Sequence, residues 1–104
     1  MRLRITVLKR VEPTYIFGGE IPSKPSTGEP HEKCSAFTEG QEFIVGEDGK
    51  MPVGFCHVAW VDIYRKVHAL QTGGTYYPWF EDGVMIACCT DGMRPVSFRL
   101  ERLD

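Results

Sequence analysis

The residues of this sequence that could do chemistry are four cysteines, Cys34, Cys56, Cys88 and Cys89. Cysteine thiolates attack electrophiles, exchange with disulfides and bind soft metal ions. The sequence contains none of the common catalytic motifs. It has no phosphate-binding loop, serine-hydrolase elbow, dinucleotide-binding glycine pattern or helical zinc-protease motif. The sequence therefore assigns no reaction, and the cysteines are interpreted as buried apolar thiols, as metal ligands or as reactive thiolates.

Cys56 is the most suggestive of the four because it begins the strongest predicted helix. The N-terminal end of a helix has free N–H groups and the positive end of the dipole, and both favour a thiolate. The alternative is that Cys56 is a small side chain that packs in the core.

A metal site is a further possibility, although the spacing gives it little support. The chain has no Cys-x-x-Cys motif, and two adjacent cysteines are an unusual pair of zinc ligands. Cys34, Cys56 and Cys89 could still converge in space, with His57 or His31 completing a tetrahedron. Zinc and iron are the metals that we consider for such a site.

Length and composition predict one domain spanning residues 1–104. The chain is 42% hydrophobic and 25% charged, values typical of a globular protein. The net charge of −2 comes from interspersed charges, which argues against a nucleic-acid partner. No run of residues has the pattern of a signal peptide or a membrane span, so we expect a cytoplasmic protein without disulfides.

The hydrophobic pattern predicts a small α+β fold, with a mainly antiparallel sheet of about four strands and one helix packed on one face. Strands are expected at residues 2–9 and 40–46 and in a hairpin formed by 84–89 and 94–103. A helix is expected over 56–72, where apolar residues recur at spacings of three and four, with Gly54 as its N-cap and Gly73 as its stop.

Residues 11–33 interrupt this pattern. Four prolines and three glycines make a continuous strand or helix unlikely there, so we expect an irregular excursion. Such segments tend to contact a ligand or a partner, and the stretch Tyr15–Phe17 would be unusual in a purely solvated loop.

The hairpin predicts how the adjacent cysteines diverge. A two-residue turn at Asp91-Gly92 would place Arg94 opposite Cys89 and Pro95 opposite Cys88, with positive φ at both turn residues. Met85, Ala87 and Cys89 would then lie under the helix. Val84, Ile86 and Cys88 would lie on the second face of the sheet, where the 11–33 segment or another subunit should cover them.

Three separated motifs carry a resemblance to a known family: "KCSAFTEGQEFIV", "KMPVGFCHVAWVDIY" and "GVMIACCTDGMRPVSFRLERL". In this order they resemble a family of small uncharacterised prokaryotic proteins of about 100 residues or fewer, the size of one domain. The resemblance implies a compact domain, sometimes in tandem, and names no substrate. It implies that Cys34, Cys56 and Cys89 are the site residues and that Cys88 is peripheral. The family has proline after its first cysteine where this chain has Ser35.

Two hypotheses for function follow. One is a small cysteine-thiolate domain with a metal-binding or redox accessory role that depends on Cys34, Cys56 and Cys89. The other is a non-catalytic binding or assembly module in which the cysteines are structural and exposed apolar residues meet a protein partner. Under either hypothesis, the apolar face of the sheet that points away from the helix predicts a homo-oligomer, because a second subunit could cover it.

Overall fold

The computed structural model describes all 104 residues and has four strands and two helices. In chain order these are β1 (Leu3–Arg10), α1 (Pro13–Phe17), β2 (Glu42–Val45), α2 (His57–Gln71), β3 (Val84–Cys88) and β4 (Val96–Arg102). The strands form one sheet in the order β2-β1-β4-β3, and every neighbouring pair is antiparallel. The predicted small α+β fold is confirmed. Neither helix has the length and apolar character needed to cross a bilayer.

The core lies between α2 and one face of the sheet. Alternation places Leu3, Ile5 and Val7 of β1 on this face, and all three side chains are buried. The helix contributes a buried stripe, and β4 contributes alternate residues beside β1. These residues are Ala59, Ile63, Val67 and Leu70 from α2 and Val96, Phe98 and Leu100 from β4.

Four phenylalanines close one end of this core. The ring centroid of Phe37 lies 5.0 Å from that of Phe55, 5.1 Å from that of Phe98 and 5.9 Å from that of Phe43. Phe55 also lies 4.9 Å from Phe43 and 5.5 Å from Phe98. We call these four residues the phenylalanine cluster. It attaches the loop around Phe37 to the sheet and to the start of α2.

Helix α2 begins one residue later than predicted, and its N-cap is Cys56 rather than Gly54. Its buried stripe is also narrower than the sequence predicts, because Trp60 is only half-buried and Tyr64 is 43% exposed. Gly73 has the predicted left-handed conformation, with φ of 89°. These differences do not change which face of α2 packs against the sheet.

The hairpin register differs from the prediction by two residues. Cys88 lies opposite Ser97 rather than Pro95, and Ala87 lies opposite Phe98 rather than Val96. Neither Asp91 nor Gly92 has positive φ, so the predicted two-residue turn is wrong. A shift of two residues preserves the faces of a strand, so Ala87 and Cys89 are still buried and Cys88 is still exposed.

The side chain of Asp91 explains the longer loop. Its Oδ1 accepts hydrogen bonds from the backbone N–H groups of Met93, at 3.0 Å, and Arg94, at 3.1 Å. An aspartate that bonds the backbone two and three residues ahead forms its own turn and competes with a tight hairpin. Pro95 has no N–H to donate to a ladder, so the hydrogen bonds between β3 and β4 start at Val96, whose carbonyl accepts from the N–H of Cys89.

The 11–33 segment is irregular apart from α1 and a small turn in which Ser23 pairs with Pro30. Proline at the first turn allows the short helix α1, which the sequence did not predict. The backbone of α1 does not approach another helix or strand, and Pro13 is its one buried residue. The radius of gyration, 15.3 Å, exceeds the roughly 13 Å of a compact chain of this length, which indicates an extended shape.

We expect the phenylalanine cluster to dominate stability. Phe98→Ala should lower the free energy of unfolding by about 3–5 kcal/mol, because the ring is fully buried and contacts two others. Urea denaturation followed by circular dichroism measures this change. Tyr77→Ala is the control, since its side chain is 71% exposed and should change stability by less than about 0.5 kcal/mol. Equal losses in the two variants would contradict this account of the core.

Candidate functional site

Three of the four cysteines line one pocket. Cys34 comes from the loop before β2, Cys56 from the start of α2 and Cys89 from the residue after β3. The pocket has a volume of about 220 Å³. Its other lining residues are mainly apolar, with a polar edge: Ser35, Ala36, Phe37, Val58, Ala59, Asp91 and Arg94.

The loop that carries Cys34 is held from both sides. Phe37 is buried in the phenylalanine cluster, and Nη1 of Arg10 donates a hydrogen bond of 3.1 Å to the carbonyl oxygen of Cys34. The sulfur of Cys34 accepts a hydrogen bond of 3.4 Å from the backbone N–H of Ala36. These contacts hold the loop whose half-buried Cys34 lines the pocket.

Cys56 is placed by its neighbour in the sequence. Phe55 is buried in the cluster, and Cys56 then adopts the extended conformation of an N-cap, with φ of −68° and ψ of 126°. Its carbonyl accepts the first helical hydrogen bond, from the N–H of Trp60 at 2.9 Å. The half-buried thiol makes no capping hydrogen bond and lies at the N-terminal end of the helix.

Cys89 is the most buried of the three, at 8% exposure. Its sulfur accepts a hydrogen bond of 3.2 Å from the N–H of Val96, and its own N–H donates to the carbonyl of Val96 at 3.1 Å. Cys89 is therefore fixed to the sheet, whereas Cys34 and Cys56 are more accessible.

Asp91 and Arg94 form one edge of the pocket. Nε of Arg94 lies 3.2 Å from Oδ2 of Asp91. Burial tends to raise the pKa of Asp91, but hydrogen bonds from Arg94 and Met93 and the Arg94 charge outweigh it and hold this pKa below its usual range. Asp62 of α2 fixes the same loop, because its Oδ2 accepts hydrogen bonds from the N–H and hydroxyl of Thr90 at 2.7 and 2.9 Å.

The remaining predicted ligands lie elsewhere. His57 is exposed and does not line the pocket, His31 borders a separate depression beside the 11–33 segment, and Cys88 is exposed on the opposite side of β3. The structure contains no group of three or more His, Cys, Asp or Glu side chains arranged to hold a metal ion. A shared zinc or iron site remains a prediction, and it would require the pocket cysteines to reorient.

Sequence reasoning did not identify Arg94 as a site residue or Phe37 as the anchor of Cys34. The pairing of Arg94 with Asp91 has a local signal, since the two residues are three apart in a polar turn. Phe37 has no such signal, because its role arises only when it packs against residues distant in the sequence.

Comparison of the chain with protein-family models, curated proteins and solved structures gives no match. The pocket itself is therefore the basis for inferring a function.

The ionised form of Asp91 should stabilise the folded protein. A carboxyl with a lowered folded pKa contributes stability above its unfolded pKa, near 3.9, and this contribution is lost as the pH falls through the folded value. Asp91→Asn should therefore be less stable than the wild type at neutral pH, by less than about 1 kcal/mol for a partly exposed ion pair. The gap in the free energy of unfolding should close as the pH falls below about 4. A gap that stays constant from pH 7 to pH 3 would contradict this role.

Proposed function

We propose that this protein is a small thiol–disulfide exchange domain with a redox accessory role. The observation that supports the proposal is the convergence of Cys34, Cys56 and Cys89, from three separate parts of the chain, on one pocket. None of the cysteines is in a disulfide. In the reducing cytoplasm, the compartment that we propose, the thiols would stay reduced until a disulfide arrives.

Cys56 is the proposed attacking thiol. It lies at the N-terminal end of α2, its sulfur makes no capping hydrogen bond, and it is more accessible than Cys89. Cys34 is the proposed resolving thiol, because it lines the same pocket on a loop rather than on a strand. Cys89 is less suited to either step, since its sulfur is buried and bonded to the N–H of Val96.

The proposed reaction has two exchange steps. The thiolate of Cys56 attacks one sulfur of an external disulfide, so that a bond forms between Cys56 and that sulfur and the second sulfur leaves as a thiol after taking a proton. The thiolate of Cys34 then attacks the sulfur of Cys56 and releases the first external thiol. The two protein thiols are oxidised to one disulfide, and the external disulfide is reduced to two thiols.

The size and lining of the pocket limit the substrate. A volume of about 220 Å³ is smaller than the roughly 300–1,000 Å³ of a typical ligand site, so the pocket would admit only the sulfur-bearing end of a molecule. Apolar side chains form much of the wall, and at the edge Arg94 is paired with Asp91. A low-molecular-weight disulfide matches this arrangement.

Reaction with glutathione disulfide tests the proposal. Wild-type protein, reduced under anaerobic conditions, should form an internal disulfide that peptide mass spectrometry maps to Cys34 and Cys56. Cys56→Ser should lose this disulfide and most of the rate of thiol release. Cys88→Ser is the matched control and should react like the wild type, because Cys88 lies outside the pocket. Modification only at Cys88, with no internal disulfide, would overturn the proposal.

Metal binding by the same thiols is the alternative chemistry, and elemental analysis of anaerobically purified protein separates the two. Stoichiometric zinc or iron that is lost in Cys56→Ser would favour a metal site. Metal-free protein with unchanged stability after chelation would leave exchange as the better account.

A further inference from the structure

Strand β3 is one edge of the sheet, and part of its backbone has no partner. The N–H of Cys89 bonds the carbonyl of Val96, and the N–H of Arg102 bonds the carbonyl of Gly83. Pairing in an antiparallel ladder alternates, so residues 83, 85, 87 and 89 direct their backbone groups toward β4. The backbone groups of Val84, Ile86 and Cys88 therefore point away from the sheet. Of these groups, only the N–H of Val84 is bonded outside the strand, to the carbonyl of Glu81.

This edge lacks the usual protection against pairing. Natural edge strands carry charged residues, proline or a bulge, or are very short. The sequence of β3, VMIAC, has no charge and no proline, and its register with β4 is unbroken over five residues. At the other edge, β2 has only four residues and includes the charged Glu42. The unprotected edge is therefore specific to β3.

The side chains beside this edge are apolar on the face away from α2. Val84 and Ile86 are partly exposed and Cys88 is exposed. On the adjoining β4, Glu101 is paired with Arg99 at 2.8 Å and with Arg4 of β1 at 3.2 Å. The charged groups of this face thus lie on β4 and β1, and β3 itself carries no charge.

We propose that β3 pairs antiparallel with β3 of a second copy of this chain, about a two-fold axis at Ile86. This register places Ile86 opposite the partner's Ile86 and Val84 opposite the partner's Cys88. The outward backbone groups of the two strands then satisfy one another, and the two four-stranded sheets become one sheet of eight strands.

A second copy fits the edge better than a charged peptide. A two-fold axis sets each strand against itself, and β3 has no charge that would repel its copy. A charged partner strand would find no opposite charge on β3. The same pairing brings Val84, Ile86 and Cys88 of both copies into one apolar strip and removes part of their surface from water.

Engineered cysteines test this register. Directly opposed residues of such a bonded pair have Cα atoms about 5.5 Å apart, within the range of a disulfide. Val84→Cys should form a covalent dimer through the native Cys88 under mild oxidation. Val84→Cys with Cys88→Ser should lose that dimer, and Ile86→Cys with Cys88→Ser should form one. Val61→Cys, at an exposed site on α2, is the control and should form no covalent dimer.

Sedimentation of the unmodified protein tests the association itself. Wild type should pass from monomer to dimer as its concentration rises, and alkylation of Cys88 should slow over the same range. Ile86→Lys should remain monomeric and retain the circular dichroism of the fold, because the backbone of Ile86 is not bonded to β4. If Ile86→Lys fails to fold, the cross-links alone decide the register.

Several results would overturn the proposal. These are a wild type that is monomeric at every concentration, a dimer that persists in Ile86→Lys, cross-links that do not follow the predicted pairs, or a monomer that captures an unrelated peptide strand at β3.

Discussion

The packing of four phenylalanine rings against one another is the interaction on which the rest of this structure depends. Each ring comes from a different part of the chain: Phe37 from a loop, Phe43 from β2, Phe55 from the approach to α2 and Phe98 from β4. Edge-to-face and tilted contacts of this kind each contribute about 0.5–1.5 kcal/mol beyond simple burial. The cluster therefore joins two loop segments to two strands that do not pair directly with each other.

The same packing positions the thiols. Phe37 follows Cys34 by three residues, and Phe55 immediately precedes Cys56. Phe98 lies opposite Ala87, two residues before Cys89 on the same face of β3. The aromatic cluster thus fixes the segments that carry the three thiols. This explains how reduced cysteines from distant segments can line one site.

The adjacent cysteines Cys88 and Cys89 divide between two surfaces because a strand alternates its faces. Cys89 lies in the pocket beneath the start of α2, while Cys88 lies on the exposed side at the free edge of the sheet. One short strand thus contributes to both proposed properties of the protein. Replacement of Cys88 should affect the edge without altering the pocket.

Much of this arrangement is predictable from the sequence, and the remainder depends on tertiary contacts. Alternation along β1 and the spacing along α2 predict which side chains are buried, because burial follows from the period of each element. The hairpin register is not predictable in this way, because the Asp91 carboxylate competes for the backbone N–H groups that a tight turn would use. The site of Cys34 depends on Phe37, whose partners come from distant parts of the chain. Tyr64 is more exposed than its place in the apolar stripe predicts, and α1, with five residues, is too short to show a helical period.

The most direct test of the central claim, that three thiols share one pocket, is the binding of a monosubstituted trivalent arsenical to reduced protein. Such a reagent forms a stable ring only with two thiols that can reach one arsenic atom. In a Cys88→Ser background, which removes the adjacent pair, our account predicts one tightly bound equivalent by mass spectrometry. It predicts loss of this binding when Cys34 and Cys56 are also replaced by serine. Failure of the Cys88→Ser protein to retain the arsenical would contradict the shared pocket.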